Sequence, residues 1–129
     1  MTDDVKEAES RVRFIQHRGK SILLQDFSNL KPGLVFEEGV RIAMKLISSQ
    51  PPKSVLTVVD ATNAVFDAGV LVTLKAFVKH NTPYMKCTAV SGIKGLKEVG
   101  LMAVAKVAGR PIHTFDTRDK ALDFLAEQE

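Results

Sequence analysis

The chain is poor in the residues that usually announce a function. It has one cysteine, no tryptophan and a single tyrosine in 129 residues. The lone Cys87 forms neither an intramolecular disulfide nor a CxxC redox pair, and its place in the apolar run 85–90 marks it as a small buried hydrophobe rather than a nucleophile. Aromatic residues make up only 6% of the chain and are not interleaved with massed lysines, which argues against a stacking platform for nucleic acid. Excess charge is also lacking. With 18 Lys and Arg against 15 Asp and Glu, the net charge of +3 is small and scattered, so a pI near 9.1 is no sign of nucleic-acid affinity. His17, His80 and His113 stand far apart, so no metal site is expected. The sequence contains no GxGxxG, P-loop or GxSxG motif, and no serine stands near a histidine; neither a cofactor nor an enzymatic nucleophile is expected. The longest apolar stretches are interrupted by Asp67, Lys75, Lys97 and Lys106, which excludes a transmembrane segment of ~20 residues. The acidic, polar start at residues 2–7 does not read as a secretory signal, and a cytoplasmic location is the expectation.

What remains is enough for one domain. A chain of 129 residues with 45% hydrophobic residues buries about two thirds of its unfolded surface and needs no staple. Residues 1–10 have little apolar periodicity and read as a flexible arm or a short frayed helix; the domain proper spans 11–129. Strands at 11–16 and 21–27 flank His17-Arg18-Gly19-Lys20, whose glycine suits a tight hairpin turn. Ser28 or Asn29 is a candidate cap for a helix that runs past Pro32 to Ser49, where Pro51-Pro52 stops it. Strands at 53–60, 85–90 and 111–116 then alternate with helices at 65–80 and 96–108, and Thr117 caps a final helix. The order β-β-α-β-α-β-α-β-α implies an α/β fold: a mixed sheet with an antiparallel opening hairpin, then parallel crossovers, and about four packed helices.

Three features carry candidate chemistry. Asp26, Asp60 and Asp116 end strands, where ligands of open α/β sheets usually lie. A cation site there would want a second acid after the first strand and a lysine after the last, but Arg18-Gly19 and Thr117-Arg118 occupy those regions; capping of turns is the simpler reading. The loop Ser91-Gly92-Ile93-Lys94-Gly95 precedes a helix and could hold an anion on its amides, although a plain strand-to-helix turn explains it as well. Most unusual are the helices at 65–80 and 96–108, which are apolar nearly all round, with Leu101 and Met102 extending the second beyond a single stripe. Such helices are either covered by neighbours in the monomer or present an intermolecular or lipid contact; the latter is favoured.

The element order, with Ser54-Val55-Leu56-Thr57-Val58-Val59-Asp60 followed by Phe66-Asp67-Ala68-Gly69-Val70-Leu71, resembles the STAS domain of anti-sigma-factor antagonists and sulfate-transporter tails. Gly19-Lys20, Asn81-Thr82-Pro83-Tyr84, Gly109-Arg110-Pro111 and Phe115-Asp116-Thr117 make it more similar to the SpoIIAA-like STAS/Sec14-type family of small bacterial proteins, over residues 11–127. The resemblance implies a non-enzymatic regulatory or binding module that acts through a protein partner or as a homodimer. In phosphoregulated members a serine follows the aspartate at the helix start. Here Asp67 matches the aspartate, but Ala68, before Gly69, stands where the serine would be and has no hydroxyl to phosphorylate. Thr62 and Ser91 are the remaining hydroxyls expected near that edge, beside Asp60 and Gly92. The family's likeness to CRAL-TRIO lipid carriers implies an alternative, a small apolar ligand held between the sheet and the two apolar helices.

Overall fold

The structure is a computed structural model that describes residues 3–129 and, within them, all side chains except those of Leu96, Lys97 and Val107. Five strands form one sheet in the order of the chain: β1 (Val12–His17), β2 (Lys20–Asp26), β3 (Val55–Asp60), β4 (Met85–Ser91) and β5 (His113–Phe115). β1 and β2 pair antiparallel through a turn in which Arg18 and Gly19 both have positive φ, the geometry of a two-residue hairpin loop matched to strand twist. All later neighbours are parallel. The α/β mixed sheet expected from periodicity is therefore the one that forms.

A sequential order of parallel strands has a geometric consequence. Right-handed crossovers that always step in the same direction place every connecting helix on the same face. α2 (Leu34–Ser48), α3 (Ala68–Asn81) and α4 (Leu96–Ala108) accordingly line one side, where Leu23, Val55, Met85 and Val90 meet Phe36, Val40, Ile47, Val70, Phe77, Leu101 and Val104. The opposite face is left to the helix after the last strand. α5 (Arg118–Ala126) covers it alone, packing Ala121, Leu122 and Leu125 on Ile22, Leu24, Leu56, Val58 and Ala89. Its ends are fastened: Thr117 accepts from the Lys120 amide, His17 Nε2 lies 2.8 Å from Asp123 Oδ1, and Lys20 Nζ donates to the Gln128 carbonyl at 2.7 Å.

Two local outcomes differ from the sequence reading. Of the two readings of the first ten residues, the helix is what forms: α1 (Asp3–Arg11) is polar but buries Ala8 completely. Arg11 anchors it, donating to the carbonyls of Asp26 and Ser28 at 2.9 and 3.1 Å. With Ala8 its one buried residue and Val5 half-buried, the helix packs on α2 with very little apolar period to read. The second difference concerns α2, which starts at Leu34 behind Gly33 and has no side-chain cap. Ser28 does not cap it because its amide and hydroxyl both donate to Asp26 Oδ1, closing a turn right after β2.

Among the described residues no helix is long and apolar enough to cross a membrane.

Candidate functional site

The carboxyl edge of the sheet comes first, because most of the sequence-derived candidates lie there. β3 and β4 pair Asp60 with Ser91, and the Ala61 amide donates to the Ser91 carbonyl at 2.8 Å. Asp60 Oδ1 accepts from the Thr62 amide at 3.1 Å and the Thr62 hydroxyl at 2.6 Å. Its Oδ2 accepts from Arg118 Nε at 2.9 Å, and Arg118 Nη2 lies 3.1 Å from Asp26 Oδ1. One guanidinium thus sits between two carboxylates that also close turns, occupying the place a cation would need. Asp116 stays exposed at the end of β5, 3.9 Å from Lys120 Nζ. Asp60, Thr62, Ser91 and Gly92 are brought together, but as a closed hydrogen-bonded corner. Thr62 spends its hydroxyl on Asp60. Ser91 is fully buried, its hydroxyl without a partner among the described residues, so no kinase reaches it in this conformation.

Burial raises the Asp26 carboxyl's pKa, but the Ser28 hydroxyl and amide and the Arg118 guanidinium outweigh it, and the net value lies below the usual carboxylate range. A carboxyl depressed in the folded state contributes stability that is present above the unfolded value of about 3.9 and lost as pH falls through the folded value. Arg118→Met is therefore expected to lower the urea midpoint at neutral pH, by about 1–2 kcal/mol for a partly exposed pair. The gap between wild type and variant should close as pH drops below about 4. A gap of the same size at both pH values would exclude the ion-pair account.

Asp67, Ala68 and Gly69 start α3. Asp67 is the N-cap, its Oδ1 accepting from the Val70 amide at 2.8 Å, and Ala68 is an exposed first residue. The helix begins here rather than at Val65, because a cap this good fixes the start. At the other loop, α4 starts behind Gly95 with no side-chain cap. Glu98 in its first turn accepts from the Thr114 hydroxyl at 2.9 Å, which places negative charge beside the amides that were candidates for an anion.

Leu101 and Met102 part company. Leu101 is 8% exposed and belongs to the core, whereas Met102 is 38% exposed on the outer side of α4. Leu101 is thus not a surface residue, and a charge placed there would break the core rather than probe a contact. On the outer sides of the packed pair α3 and α4, Val72 is 68% and Val99 66% exposed, with Val65 exposed just before α3.

Between the sheet and these helices, where the apolar-ligand alternative places its molecule, there is a space whose polar side was not foreseen. A cavity of about 60 Å³ is roofed by apolar side chains, among them Phe36, Phe66, Leu74, Phe77 and Leu101. Its floor is a row of polar side chains running across the strands. Gln25 Nε2 donates to Thr57 Oγ1 at 2.9 Å, and Thr57 Oγ1 donates to the Leu23 carbonyl, also at 2.9 Å. Thr57 is paired in register with Thr88, which accepts from Arg110 Nη1 at 2.6 Å, while Arg110 Nε donates to Thr82 at 3.1 Å. Gln25 Oε1 is fully buried with no partner among the described residues. Turning the amide over would not relieve it, because the Thr57 hydroxyl proton is already given to Leu23. Burial lowers the Arg110 pKa, and no carboxylate among the described residues pairs with this guanidinium. Elsewhere burial pushes the Cys87 thiol up, as befits a packed, unreactive sulfur.

None of Gln25, Thr57, Thr88 and Arg110 was singled out as a site residue by sequence. A signal existed: a glutamine closes the apolar run Ile-Leu-Leu-Gln, and one threonine stands inside each of Val-Leu-Thr-Val-Val and Cys-Thr-Ala-Val. The carboxyl-edge rule pointed elsewhere, since it locates crevices where strand order reverses, and here the order never reverses. Comparison with known proteins gives no family model, no curated protein and no solved structure that matches this chain.

Proposed function

We propose that this chain is a non-enzymatic regulatory or binding module of STAS type, acting by protein–protein interaction through the outer face of α3 and α4, with the homodimer as its simplest form. The observation that carries this reading is the exposure of Val72 and Val99 on two adjacent helices, with Met102 exposed on the second as well. Burying such side chains is worth about 1.5–3 kcal/mol each, so covering them with a second copy of the chain would stabilise the pair. With Ala68 in the place of the phosphorylatable serine, the interaction is constitutive rather than switched at that residue. Light scattering at micromolar concentration tests it. The wild type is expected at twice the chain mass with a melting temperature that rises with protein concentration, and Val72→Asp with Val99→Asp at the monomer mass with a melting temperature that does not. A monomeric wild type would sink the homodimer.

A second reading, binding of a small apolar ligand, is favoured by the cavity. A well-packed core leaves few voids, and one bordered by an unsatisfied buried acceptor is where a bound molecule would be expected. A rise in melting temperature with 1-octanol tests it.

A further inference from the structure

The polar floor says what kind of ligand the cavity suits. Arg110 is half-buried beside apolar side chains, and with no carboxylate partner among the described residues the desolvation of its guanidinium is not repaid by an opposite charge. Hydrogen bonds to two threonine hydroxyls do not require a cation; a neutral amide would make them at less cost. Arginine offers five N–H donors in a planar fork, of which Thr82 and Thr88 account for two. The fork is therefore only partly engaged, and it borders a space whose other walls are aliphatic and aromatic.

Resting on the apolar-ligand reading, we propose that the cavity takes an apolar molecule bearing one anionic headgroup, of which a medium-chain carboxylate is the simplest, with the headgroup on Arg110 and the chain against Phe66, Leu74 and Phe77. A carboxylate matches the guanidinium fork with two parallel charge-assisted hydrogen bonds and supplies the missing counter-charge. Gln25 Oε1 lies across two strands from Thr88, about 10 Å at the usual strand spacing, and takes its donor from a water rather than from the acidic headgroup. A volume of about 60 Å³ holds roughly two waters' worth of liquid, so it fits a headgroup and its first carbons. The rest of the chain passes toward Val65 and Lys31, which line the cavity and are exposed.

The test compares octanoate with 1-octanol, equal in chain length and different in head charge, on the full chain. Octanoate is expected to bind at least about 10-fold more tightly than octanol, a difference worth about 1.4 kcal/mol. Arg110→Met should abolish that preference while keeping octanol binding, whereas Lys31→Met should leave it intact. Binding of neither probe overturns the cavity reading itself. Equal binding of both overturns only the headgroup assignment, as does loss of the preference in Lys31→Met instead of Arg110→Met. Should Arg110→Met fail to fold, carboxyl-labelled octanoate on the wild type decides by NMR: a carboxyl on the guanidinium titrates below its free value, and titration at the free value overturns the proposal.

Discussion

Leu125→Ala is expected to destabilise the domain by about 3 kcal/mol, within the range for a fully buried leucine. The whole stability of a domain this size is about 5–15 kcal/mol, so the loss is a large share. The reason is architectural. Three helices share the cover of one sheet face, and only α5 covers the other, where Leu125 is completely buried against β2, β3 and β4. No neighbouring helix stands ready to collapse into the space. The urea midpoint should fall with the slope unchanged, as for loss of stability without loss of two-state behaviour. A loss under about 1 kcal/mol would show that the face can be sealed without α5 in its present place.

Gly92→Ala is the other change of comparable size. Gly92 has φ of +78°, where an L side chain costs about 1–2 kcal/mol. An added Cβ would also lie 2.8 Å from the Thr62 Cα, a backbone atom that cannot swing aside. Thr62 is pinned by Asp60 Oδ1 and by the Asn29 amide, which donates to its carbonyl at 2.8 Å. Strain and overpacking together come to about 3 kcal/mol or more. Gly69→Ala is the control: its Cβ meets Asp67 Oδ1 at 3.4 Å, an ordinary contact at the start of a helix. It should be neutral or slightly stabilising in the same melting experiment. Equal effects of the two substitutions would refute the close approach of the 62 and 92 loops as the cause.

Where the chain is periodic, its fold was readable. Val55–Asp60 is β-branched and apolar because it is buried on both sides, and the Gly19 turn declares the hairpin. The start of α2 was not readable, because Ser28 is equally able to cap a helix or to close a turn on Asp26, and only tertiary position decides. The corner of Asp60, Thr62, Ser91 and Gly92 was legible as strand ends, though not as a closed network, since Arg118 joins it from 58 residues away. The polar floor was the least legible part. It depends on register, and the irregularity between Val55 and Leu56 is what sets Thr57 beside Thr88. One more residue on either side would turn Thr88 to the α5 face, into the apolar cluster of Leu56, Val58 and Leu122.

The solitary position of α5 also bears on how the protein is made. With strands added to the sheet in chain order, β1 to β4 and their covering helices can assemble as synthesis proceeds, each contact local. The helix for the second face follows all five strands in the chain, at Arg118–Ala126. At about 5–20 residues per second, the nascent sheet presents Ile22, Leu24, Leu56 and Val58 bare for some seconds before α5 emerges. Premature termination just before Thr117 would thus release a chain with one finished side and one adhesive side, a substrate for chaperones rather than a shorter version of the domain.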